Sequence, residues 1–86
     1  MRVVALYKQQ RDYTRQVEDY LADFTRQTGR ELEVMDPESK EGMSFCEAQD
    51  ILEFPAIVAI TDEGQAVSTW KGFPLPLVNE VSYYVQ

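Results

Sequence analysis

A single cysteine, no histidine and three closely spaced cations bound the chemistry open to this chain. Cys46 is the one thiol, and a thiolate is the side chain that could exchange with a disulfide or with glutathione. Ser44 followed by Glu47 has capping-box spacing, so a short helix is expected from there to about Asp50. That start puts Cys46 near the helix's second residue, where the dipole favours a thiolate. Glu47 adjoins the sulfur and Phe45 points to local burial, so a structural thiol is the plainer expectation. The missing imidazole removes the commonest general base and any Ser-His-Asp arrangement. One Cys and no His give no zinc or iron–sulfur ligand set, so no metal and no cofactor are implied.

Lys8, Arg11 and Arg15 surround the polar stretch "KQQRDYTR", just where helical spacing begins. Unpaired N–H groups at a helix start attract anions, and three cations add to that attraction, while Asp12 offsets part of it. The cluster would take a carboxylate, a phosphate or an acidic protein surface, or else is solvated charge on an exposed helix. Asp62 and Glu63 beside Gly64 have the spacing of a turn, and no carboxylate pair with acid–base geometry follows from it.

Fifteen acidic residues against eight basic ones give a net charge of −7, which disfavours nucleic acid as a partner. Residues 1–30 carry six of the basic residues, and residues 31–86 carry eleven of the acids. No apolar run approaches the roughly 20 residues of a membrane span, and "MRVVALYKQQ" lacks a signal-peptide core. With one cysteine, a cytoplasmic protein that does not enter membranes is expected.

The elements that must position these groups follow from periodicity. "RVVALY" is apolar on both faces, as a central strand is. Tyr13, Val17, Tyr20, Leu21 and Phe24 make a helical stripe, with Asp12 as N-cap and Gly29 as the stop. "RELEVMD" alternates, Leu32 and Val34 on one face, as a strand near an edge. "PESKEG" is a loop, "AIVAI" a buried strand, "TDEGQ" a hairpin turn and "AVSTWK" the return strand. Leu77, Val78, Val81, Tyr84 and Val85 mark a last helix. Tyr7, Tyr13 and Tyr20 pack with hydroxyls free at the rim, Trp70 packs on the core, and Phe73 flanks the last strand's end. The chain thus reads as one domain, residues 1–86, of α/β class: a four-stranded mixed sheet with helices on both faces, in the order β-α-β-α-β-β-α.

Pro55 carries a further signal. In "DILEFPAIVAITDEGQAVSTWKGF", a short helix ends in Ile51, Phe54-Pro55 opens a buried strand, Asp62 and Gly64 form a D-x-G hairpin, and a strand ends at Gly72. This pattern resembles the thioredoxin superfamily in its minimal, thioredoxin- or glutaredoxin-type form, along essentially the whole chain. The resemblance implies a cis Pro55 beside the active-site groove, with Phe54, Pro55 and Ala56 as its floor. In such proteins the backbone before that proline pairs with an extended peptide or with glutathione. The C-x-x-C motif that performs the family's redox chemistry is missing, and Asp12 and Arg15 stand where its cysteines would lie. The expected function is therefore non-catalytic binding of a peptide or small anion at the Pro55 groove, rimmed by Lys8, Arg11 and Arg15. The alternative is a thiol-disulfide or glutathione-linked redox protein using Cys46. A third expectation is a subunit that dimerises through an edge strand or the "SYYVQ" end. Partners are accordingly a protein or peptide, with the chain a monomer or weak dimer.

Overall fold

Two strands of consecutive apolar residues form the middle of the sheet. β1 (Arg2–Leu6) and β3 (Ala56–Ile60) pair antiparallel, Val4 opposite Val58 and Leu6 opposite Ala56. Both strands are buried on two sides, which is why neither alternates polar with apolar residues. The computed structural model describes residues 1–85; the final residue of "SYYVQ", Gln86, lies outside them.

α1 (Thr14–Thr28) connects β1 to β2 (Glu33–Met35), which joins the sheet parallel to β1. After α2 (Lys40–Gln49) and β3 comes β4 (Ala66–Lys71), antiparallel to β3, and then α3 (Val78–Ser82). The sheet order β2-β1-β3-β4 leaves β2 and β4 at the edges. Val4, Leu6, Val58 and Ile60 point to one face, where they pack with Met35, Cys46 and Ile51. Val3, Ala5, Ile57 and Ala59 point to the other, against Phe24 of α1, Leu32 and Val81 of α3. The expected architecture is thus present, with α1 and α3 on one face and α2 on the other.

Local details depart from the sequence expectations. Asp12 is exposed and does not cap α1; the cap is Tyr13, without a side-chain bond, and helix begins at Thr14. Gly29 does end the helix, at φ 73° with its N–H on the Thr25 carbonyl at 2.8 Å. Leu32 and Val34 do not share a buried face, because β2 starts only at Glu33: Leu32 and Met35 are buried while Val34 is exposed at the edge. The "PESKEG" loop is partly helix. α2 begins at Lys40, and its cap is Ser39, whose hydroxyl accepts from the Gly42 N–H at 3.0 Å and donates to the Asp36 carbonyl at 2.7 Å. Ser44 therefore lies inside the helix. α3 is shorter than its stripe, and Tyr83 and Tyr84 follow its last turn.

Candidate functional site

Beyond β1, Tyr7 is buried and the chain turns polar. The loop is tied back onto the start of α1 by three bonds. The Lys8 N–H donates to the Tyr13 hydroxyl at 3.1 Å, the Thr14 hydroxyl donates to the Lys8 carbonyl at 2.7 Å, and the Arg11 N–H donates to Thr14 Oγ1 at 3.0 Å. Gln10 completes the turn in the left-handed region, at φ 56°. The loop so formed holds the backbone of Lys8, whose Nζ stands 5.3 Å from the centroid of the Phe54 ring.

Phe54 is half-buried and Pro55 fully buried where the chain enters β3, and the Phe54–Pro55 peptide is cis, as is Phe73–Pro74. Pro55 has no N–H to give the sheet, but its carbonyl accepts from the Gly72 N–H at 2.8 Å, tying the start of β3 to the end of β4. Gly72 sits at φ 68° beneath the Glu53 carboxylate, and a Cβ there would come 2.5 Å from Glu53 Oε2. The next ring, Phe73, lies 6.3 Å from that of Tyr13. Residues 8–13, 53–56 and 72–74 thus meet at one end of the sheet, where the Lys8 ammonium stands over the Phe54 ring and the Tyr13 ring beside that of Phe73.

Of the cluster read from the sequence, Lys8 and Phe54 are brought together directly. Arg11 turns toward α2: its guanidinium pairs with Glu38 at 3.4 Å and donates to the Gln9 carbonyl at 3.2 Å. Arg15 is exposed in the first turn of α1 and makes no ion pair among the described residues. That turn has no acidic residue and no side-chain cap, so the N–H groups of Arg15 and Gln16 lack an intramolecular acceptor from a capping side chain. Asp12 and Arg15 stand at the loop–helix junction, and neither side chain can exchange a disulfide.

Cys46 occupies a different environment from the one its sequence context suggests. It is the seventh residue of α2 rather than about the second, because the cap is Ser39, and the amino-terminal dipole does not reach it. Its side chain is 8% exposed and burial pushes its thiol pKa up, opposed in part by the charge of Lys8. It borders a cavity of about 280 Å³ with Pro37, Met43, Ile51 and Leu52. The tyrosine hydroxyls are not free at the rim either. Tyr13 accepts from Lys8, burial and then the Glu18 charge raise the Tyr7 phenol pKa, and the Tyr20 hydroxyl is buried without a partner, its pKa pushed up to about 12 by burial and then by Glu80. Trp70 is half-buried on the α3 side, its ring 5.8 Å from that of Tyr84.

Glu38 as the partner of Arg11 and Glu53 over Gly72 were not foreseeable from spacing, since each contact is made between distant segments only after the sheet has formed. Among the described residues no group of three His, Cys, Asp or Glu side chains is placed to hold a metal ion, and no helix is long and apolar enough to cross a membrane.

No protein-family model and no curated protein matches the chain. A solved structure does: thioredoxin 1 from the thermophilic eubacterium Thermosipho africanus, with a TM-score of 0.67 and 12% sequence identity, over 99% of this chain and 94% of that one. The fold is thioredoxin-like.

Proposed function

We propose that the chain is a non-catalytic, thioredoxin-like binding domain whose cleft beside Pro55 takes an extended peptide bearing a carboxylate, or a small anion such as glutathione. The observation that carries this reading is the Lys8 ammonium. It stands over Phe54, where three chain segments meet, with no carboxylate paired to it among the described residues. A cation held by an aromatic face keeps all three of its donors for a ligand. Arg15 and the uncapped start of α1 extend the positive field, and Arg11 adds to it from its pair with Glu38. None of the cavities lined by Thr28 and Arg30, by Cys46 and Leu52, or by Val67 and Tyr83 includes Lys8 or Phe54.

A one-cysteine redox role for Cys46 has less support, because burial disfavours the thiolate that exchange requires. The test is a titration of the isotopically labelled chain, followed by NMR, with pentaglutamate and separately with glutathione. Shifts confined to residues 8–15, Ala56 and Gly72 are expected, and Lys8→Gln should weaken binding about five- to tenfold at unchanged melting temperature. Arg11→Glu with Arg15→Glu should weaken it further. No response to millimolar ligand, or shifts on another face, would sink the reading.

A further inference from the structure

The two edges of the sheet are unlike. β2 is three residues long and its edge is guarded by charge, since Glu33 pairs with Arg2 of the neighbouring strand. β4 is twice as long, has no proline, and has one charged residue, Lys71, at its end. An antiparallel edge strand directs about half its N–H and C=O groups outward, where they can pair with another chain unless something blunts them.

The surroundings of β4 are as uncharged as the strand. Residues 64–86 contain Lys71 and Glu80 as their only charged residues, so the whole −7 resides on residues 1–63. From this same segment come four large apolar side chains that remain exposed: Val67, Phe73, Leu77 and Tyr83. Val67 is the extra residue of a β-bulge, between Ser68 opposite Ala59 and Ala66 opposite Ile60. It lines a cavity of about 530 Å³ with Met1, Tyr83 and Tyr84. Tyr84 is fixed there by Ser68, hydroxyl to hydroxyl at 2.8 Å, and by edge-on contacts to Trp70 and Tyr83 at 5.8 and 5.1 Å. Tyr83, 70% exposed, is the outermost ring of that stack. Charge depletion with exposed aromatics is the composition of an interface core.

We propose that this edge is a self-association surface: two copies of the chain pair their β4 strands antiparallel about a two-fold axis through Thr69, whose N–H and C=O point away from β3, giving one continuous eight-stranded sheet. The strand is complementary to itself in that register. Trp70 falls opposite Ser68 of the other copy, both on the face that carries Tyr84, and Lys71 falls opposite Val67. That register brings Lys71, at the end of β4, next to the other copy's turn at residues 61–65, which carries Asp62 and Glu63. A second copy is the occupant that fits the charge distribution. A basic partner would be drawn to the acidic remainder of the molecule, whereas two copies meeting at their neutral segments keep their −7 regions apart.

Sedimentation velocity and light scattering on the full chain, from about 10 µM to about 1 mM, test this. The expected mass climbs from one chain of 9.9 kDa toward two. Hydrogen exchange at high concentration should gain protection at alternate amides of β4. Val67→Lys should raise the dissociation constant at least about tenfold without lowering the melting temperature, and Tyr83→Lys gives the same readout if the first variant folds poorly. A single-chain mass at every concentration would overturn the proposal. So would a dimer whose added protection lies outside β4, or one that both lysine variants leave intact.

Discussion

Cys46 and Tyr20 show how burial leads in deciding the behaviour of two groups that could otherwise do chemistry. Neither has an ion-pair partner, and burial is the leading cause of the raised pKa at both. Each therefore holds its proton more tightly folded than unfolded. The sign of the pH dependence follows: the stability linked to each group is fully present below its unfolded pKa and is lost as pH rises through the folded one. Loss linked to Cys46 should begin at about pH 9, and loss linked to Tyr20 should fall between about 10 and 12. Urea midpoints measured against pH should decline across both windows in the parent chain, and Tyr20→Phe should shrink the upper decline to the part linked to Tyr7, whose phenol pKa is also raised by burial. At neutral pH that variant should be unchanged or about 0.5–1 kcal/mol more stable, since it deletes a buried hydroxyl that has no partner. Iodoacetamide should label Cys46 slowly in the folded chain and fast after denaturation; fast labelling at pH 7 in the folded state would return the thiolate to consideration.

Among the elements, α2 is where sequence and structure part most clearly. Two serines compete for the cap, and Ser44 has the better motif because Glu47 stands three residues on. The helix nevertheless starts at Ser39 and runs through Gly42, a residue that sequence reasoning assigns to a loop. The reason is close packing: a Cβ on Gly42 would lie 1.8 Å from the Asp36 carbonyl oxygen, so the first turn of α2 can sit against residue 36 only because that position lacks a side chain. Urea denaturation separates the two caps. Ser39→Ala should cost about 1 kcal/mol, Ser44→Ala should cost nothing, and Gly42→Ala should cost about 2–3 kcal/mol despite alanine's higher helix propensity. Equal losses at the two serines would mean that the cap is misassigned. The same contrast explains what the sequence makes legible. Consecutive apolar residues in β1 and β3, the D-x-G hairpin and Phe54-Pro55 are local signals, and each element they imply is present. The orientation of Arg11 toward Glu38 and the depth of Cys46 depend on how α2 lies across the sheet, which no short stretch encodes.

At the scale of the whole molecule, charge is sorted by region: cations at the loop after β1, acids over much of the remainder, and a neutral segment along β4 and α3. The two proposed surfaces should then answer salt in opposite directions. The Debye length shrinks from about 10 Å at 0.1 M to about 3 Å at 1 M, which weakens attraction between Lys8 and a ligand carboxylate at the exposed cleft. The same screening removes repulsion between two copies of net charge −7 and leaves apolar contact at Val67, Trp70 and Tyr83 in place. Between 0.1 and 1 M sodium chloride, pentaglutamate binding should weaken by about tenfold or more while self-association strengthens or holds. Parallel weakening of both would place charge pairs, rather than backbone pairing and apolar burial, at the β4 contact. Peptide affinity indifferent to salt would instead locate recognition in the Phe54 ring and the backbone beside Pro55, with Lys8 a bystander above them.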